Sequence, residues 1–114
     1  MKVRNMRSER SNKAVANQYI IIDGTNVTFQ SYDTTICCIH CGSAFMTLTN
    51  YWDYSVTTSK YFYKFMDENL LLYRPCKKDV IRWLELGYIP SDENCLKTDI
   101  RIYKDDREEV ECLF

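Results

Sequence analysis

The run with the most evident chemical capacity is Cys38-Ile39-His40-Cys41-Gly42. Two cysteines at C-x2-C spacing, followed by glycine, have the shape of half a zinc knuckle: paired thiolates share a metal and glycine relieves the tight turn. A closed structural site needs two further ligands. Cys76, Cys95 and Cys112 are present but singly spaced, with no second C-x2-C and no H-x3-H. Zinc held by Cys38 and Cys41 is therefore one reading, and no other cofactor is implied. The plainer reading is a strand-end turn carrying small apolar thiols, since cysteine is among the most buried residue types. A redox pair would need to sit at a helix N-terminus, where thiol pKa values fall. The flanking residues predict a turn between strands instead.

Catalysis finds little material here. His40 is the single histidine, and three glycines are too few for a phosphate-cradling loop. No G-x-S-x-G or H-E-x-x-H occurs. Cys38 or Cys41 beside His40 approximates a Cys–His dyad, but neighbours on a strand point to opposite faces. The expectation is a protein that is not an enzyme.

The second chemically loaded stretch is Asn50 to Met66, NYWDYSVTTSKYFYKFM, which holds seven of the sixteen aromatic residues. Tyr51, Trp52 and Tyr54 with Lys60, Tyr63 and Lys64 interleave rings and cations, as single-strand nucleic-acid platforms do. The same surplus of Tyr and Trp suits a protein contact, because so many rings are hard to bury in one small domain. The plainer reading is core rings below and a solvated lysine face above.

These groups need a scaffold, and 114 residues supply a single core. A hydrophobic fraction of 46% argues for a folded globule. Fifteen basic residues against sixteen acidic ones leave a net charge of -1, which gives no global pull toward nucleic acid or a membrane. The charge is uneven: Lys2, Arg4, Arg7, Arg10 and Lys13 crowd the front, while the end reads DDREEVECLF. No apolar run reaches the ~18 residues of a membrane span. No apolar stretch follows the charged front, so no secretory signal is read and the thiols are expected free in a reducing cytosol.

The expected organisation is a mobile basic arm over residues 1–13, a single α+β domain over 14–104 and an acidic tail over 105–114. Asp23-Gly24-Thr25-Asn26 lies between two β-prone runs and predicts a hairpin. Thr34 to His40 and the AFMTLT run add strands, giving a small antiparallel β-meander of three to four strands. Tyr51 to Tyr54 is too bulky for a plain solvent loop, so at least two of its rings should pack on the sheet. Ser55, Thr57 and Thr58 are candidate N-caps for a helix over 57–66, whose Thr58, Tyr61, Phe62, Phe65 and Met66 share a face. A second helix is expected over 75–86, with Pro75 in its first turn, Cys76, Val80, Trp83 and Leu84 on one face, and Gly87 as its stop. A late strand near Ile100 completes the fold, with both helices covering the meander.

Two segments also carry a family resemblance: Phe29-Gln30-Ser31-Tyr32-Asp33-Thr34, and Asn50 through Tyr61 with Phe65. They resemble a family of small proteins encoded by bacteriophages and other mobile elements, a domain of unknown function with an F-Q-S-Y-(N/D) strand followed by N-Y-W-D-Y-S-x-T-T-S-K-Y-x-x-x-F. The likeness covers roughly residues 18–67, and nothing carries over beyond Asp67. Its CCIHCG run departs from the plain polar hairpin of that pattern, so a metal site would be private to this chain. What the resemblance implies is a setting, a phage-type protein in the bacterial cytoplasm. On that reading the chain is a non-enzymatic accessory protein binding a host or viral macromolecule, with an inhibitor of a host system as one version. The rivals are a single-stranded nucleic-acid binder and a small zinc-stabilised interaction module. No membrane partner is expected.

Overall fold

The computed structural model describes residues 1–71, 73–94 and 96–105. Among these residues seven strands and three helices follow one another: β1 (Lys2–Arg7), β2 (Ala14–Asp23), β3 (Asn26–Ser31), β4 (Thr34–His40), β5 (Phe45–Thr49), α1 (Val56–Asn69), α2 (Lys77–Leu86), β6 (Tyr88–Ile89), α3 (Ser91–Asn94) and β7 (Ile100–Asp105). The strands form one sheet in the order β1-β2-β3-β4-β5-β7-β6. Every pairing is antiparallel except β5 with β7, which is parallel.

The antiparallel meander of the first half follows directly from local turn chemistry. Asp23 pairs with Asn26, leaving Gly24 and Thr25 as a two-residue loop, and Gly24 takes the positive φ of 61° that such a turn demands. Ser31 pairs with Thr34 around Tyr32 and Asp33. A bulge on β4 lies between the Phe29–Cys37 and Gln30–Thr35 pairs. Its extra residue, Ile36, is buried together with Cys37 instead of alternating away from it.

Three expectations from the sequence are corrected. Among the described residues the sheet has seven strands, more than a meander of three or four with one late strand: β1 is masked by its charged residues and β6 is two residues long, so neither announces itself. Residues 1–13 are not a free arm: Lys2–Arg7 pairs with β2, and Met6 is buried. The Lys64 ammonium donates to the Arg7 carbonyl and Arg74 pairs with Glu9, which fastens this edge to the helical layer. The second helix starts at Lys77, so Pro75 precedes it and Cys76 is its exposed N-cap. The Cys76 N–H donates to Asp79 Oδ2 at 3.0 Å, and Gly87 closes the helix at a φ of 85°. The acidic tail beyond Asp105 lies outside the described residues.

Both long helices cover the same face of the sheet. Ile20, Phe29, Ile39, Met46, Leu48 and Ile102 point into the core from the strands. Against them α1 sets Tyr61, Phe62, Phe65 and Met66, and α2 sets Val80 and Trp83. The other face has no helix over it among the described residues. Alternation along the strands places Val3, Ile21, Cys38, Phe45 and Tyr103 there, with Val3 58% and Tyr103 50% exposed. This is a two-layer arrangement, one sheet face dry and one open.

Candidate functional site

The structure divides the residues singled out by the sequence into three places. Trp52 is only 6% exposed, packed against Phe62 and Tyr63 with ring centroids 5.9 and 6.4 Å away. It belongs to the core. Burial raises the Tyr63 phenol above its ordinary range, with the charges of Asp53 and Cys76 adding to the effect. Lys64 is buried too: besides the Arg7 carbonyl, its ammonium lies 3.8 Å from Glu68. Lys60 is exposed, 5.4 Å from the Tyr61 ring centroid. Tyr54 is exposed and Tyr51 is half-buried against the core, the two rings in edge contact at 6.5 Å.

Those two rings form one wall of a cleft of about 320 Å³ lined by Ser31, Tyr32, Thr34, Ile36, Tyr51, Tyr54 and Thr58. It sits where the β3–β4 turn meets the start of α1. Ser55 fixes that start: its side chain accepts from the Thr58 N–H at 3.1 Å. Thr58, one turn in, faces the sheet and shares a 3.0 Å hydrogen bond with Ser31. The two segments that carry the family resemblance thus meet at this bond, and the cleft lies over it. No charged side chain lines it. Its floor offers hydroxyls and the Ile36 side chain, and its rim offers rings.

Tyr32 is the residue that sequence reasoning missed. It is 54% exposed and holds a φ of 56°, a left-handed conformation that costs a non-glycine residue roughly 1–2 kcal/mol. Hydrogen bonds hold it in place: its N–H donates to the Asn17 carbonyl at 2.7 Å, and its own carbonyl accepts from Gln30 Nε2 at 2.8 Å. A bulky ring at the first position of a two-residue hairpin loop, where glycine fits best, was the available signal.

The cysteines spread over the two faces. Cys38 opens onto the uncovered sheet face, half-buried, while Cys41 lies exposed in the following turn. Cys76 is in the helical layer, and Cys95 and Cys112 lie outside the described residues. Among the described residues no three His, Cys, Asp or Glu side chains gather as a metal would require. Residues two apart share a strand face, so Cys38 and His40 do lie on the same side, contrary to the opposite-face expectation. The His40 ring nevertheless stacks on Phe45, centroids 4.3 Å apart and 13° from parallel. Cys37 points into the core, where burial pushes its thiol well above the usual range, with Cys38 adding to the rise.

Fold and site together define a two-layer α+β domain with a neutral, ring-walled cleft at one end of its sheet. The chain belongs to a family of unknown function, DUF8033, whose model matches residues 1–81 and so spans β1 through the first half of α2. No curated protein matches the chain, and no solved structure does. No helix among the described residues is long and apolar enough to cross a membrane.

Proposed function

We propose that this chain is a non-enzymatic binding module that grips a segment of a partner protein in the Tyr32–Tyr51–Tyr54 cleft. The observation that carries the reading is Tyr32: an exposed ring kept at the cleft mouth in a costly backbone conformation. Strain of that kind persists where the surrounding structure over-determines it, and it concentrates at contact sites. A cleft without charges, with hydroxyls beneath rings, suits an uncharged, partly apolar peptide segment. Tyr54, at 79% exposure, is the natural anchor for such a segment. The setting suggested by the sequence resemblance is a phage-type accessory protein in the bacterial cytoplasm, with a host or phage protein as partner and inhibition of a host system as one version.

Affinity capture from infected cells tests this with three baits: the natural chain, Tyr54→Ser, and Glu85→Gln on the exposed side of α2. A protein held by the first and third and lost from the second supports the reading. Equal retention by all three removes the cleft from consideration. The nucleic-acid rival loses Lys64 to its buried contacts and keeps Tyr51, Tyr54 and Lys60. A titration with labelled single-stranded DNA and RNA at low salt decides it, since phosphate contacts are strongest there.

A further inference from the structure

We infer that the open face of the sheet is the contact surface between two copies of this chain, packed face to face about a two-fold axis running along β4. A solvated sheet face ordinarily reads as polar, alternating with the apolar inner face. This one does not: one cross-strand row on it reads Tyr103–Thr47–Cys38–Thr28–Ile21–Val3. Rings, thiol, methyl-bearing hydroxyls and aliphatic carbons follow one another without a charge. The next row reads Tyr88–Arg101–Phe45–His40–Asn26–Asp23. It carries one cation towards one end and one anion at the other, and neither has an ion pair among the described residues.

That distribution is self-complementary. β4 is the middle strand of the seven, so an axis along it exchanges β5 with β3 and β7 with β2. Arg101 of one copy then faces Asp23 of the other, Tyr103 faces Ile21, Thr47 faces Thr28, and Cys38 faces its own counterpart. No like charges meet. A C2 contact requires this kind of matching, in which one patch complements itself. Strands about 4.8 Å apart give a seven-stranded face roughly 30 Å wide. Strands of about six residues rising ~3.3 Å each make it roughly 20 Å deep, a footprint of about 600 Å² against the ~800 Å² per partner of standard interfaces. Two sheets stacked this way form a sandwich core with helices outside. Both clefts lie at the sheet ends towards the helical layer, so each stays accessible. Single-stranded RNA suits the face less, since Arg101 is the one cation of these two rows and the chain is nearly neutral.

Sedimentation equilibrium of the full chain tests the inference, with twice the 13.6 kDa chain mass expected. Arg101→Asp and Asp23→Arg should each weaken the dimer roughly tenfold through like-charge contacts, and the double exchange should restore it. Thr47→Arg should give a monomer with an unchanged far-UV circular dichroism spectrum, and Thr28→Arg on β3, across β4 from Thr47, is the second variant should the first not fold. A variant retaining only Cys38 among its cysteines should be joined into a covalent dimer by a short bismaleimide. A monomer at every concentration, a dimer indifferent to arginine at Thr47 and Thr28, or a monomer that takes up single-stranded RNA on this face overturns the inference.

Discussion

Ser31 Oγ and Thr58 Oγ1 lie 3.0 Å apart, both side chains buried, and join the end of β3 to the first turn of α1. Thr58 also accepts from Ser55 Oγ at 3.1 Å, so one hydroxyl serves the cap and the sheet contact together. Thr58→Val keeps the shape but strands Ser31 without its partner, at an expected cost of about 1–3 kcal/mol in urea unfolding. Adding Ser31→Ala should recover part of that loss, because both polar groups are then gone. Fully additive costs would show that the two hydroxyls do not act as a pair.

Tyr32 separates stability from binding. Replacing it with glycine relieves the positive φ and removes the ring. The relief outweighs the added freedom of the unfolded chain, so stability should stay level or rise by up to about 1 kcal/mol. Partner capture should fall nonetheless. A less stable Tyr32→Gly variant with intact capture would mean that the ring serves the hairpin alone.

Gln18 is fully buried, and neither its amide oxygen nor its amide nitrogen has a hydrogen-bond partner among the described residues. An unsatisfied buried polar group costs on the order of 1–3 kcal/mol, whereas an apolar side chain of similar length carries no such penalty. Gln18→Met should therefore raise the thermal midpoint by a few degrees, ~4–8 °C per kcal/mol for a domain near this size. A lowered midpoint would show that the amide is satisfied in solution.

These sites were unequally legible in the sequence. The hairpins and the α1 face follow from neighbours a few residues apart, so turn residues, alternation and helical spacing specify them. Lys64 looked like a solvent cation because its buried contacts come from β1, itself hidden by Lys2, Arg4 and Arg7. Charged residues are ordinary on edge strands, and they mask the strand from any reading by hydrophobicity. The parallel pairing of β7 with β5 is a long-range choice that no local pattern encodes. The cleft was half legible: Tyr51 and Tyr54 were singled out, whereas Tyr32 reaches them through the folding of a distant hairpin.

The Cys37 thiol, raised by burial, makes stability depend on pH in a definite direction. A thiol whose folded pKa lies above its unfolded value of 9.0 contributes its full stability below that pH. As pH climbs above it, the unfolded chain releases the proton while the folded chain keeps it, so stability falls until the folded value is passed. Urea unfolding across the alkaline range should show that decline, and Cys37→Ala should flatten it after paying a constant cavity cost. Thiol labelling gives a second check, with the exposed Cys41 and Cys76 reacting quickly and Cys37 reacting only as fast as the chain opens.

Trp52 decides what the ring-rich segment is for. Its indole projects from the Tyr51–Tyr54 turn against Phe62 and Tyr63, so it ties the turn to α1. Trp52→Ala should cost about 3–5 kcal/mol, the range for deleting a large buried aromatic. Capture of the partner should fall with it only as far as the folded fraction falls, because the ring is not on the cleft. Tyr54→Ser should do the reverse, leaving unfolding within about 0.5 kcal/mol of the natural chain, as exposed positions do, while capture is lost. If Trp52→Ala kept its stability and lost the partner, the indole would be a contact residue and the division between a supporting ring and gripping rings would fail.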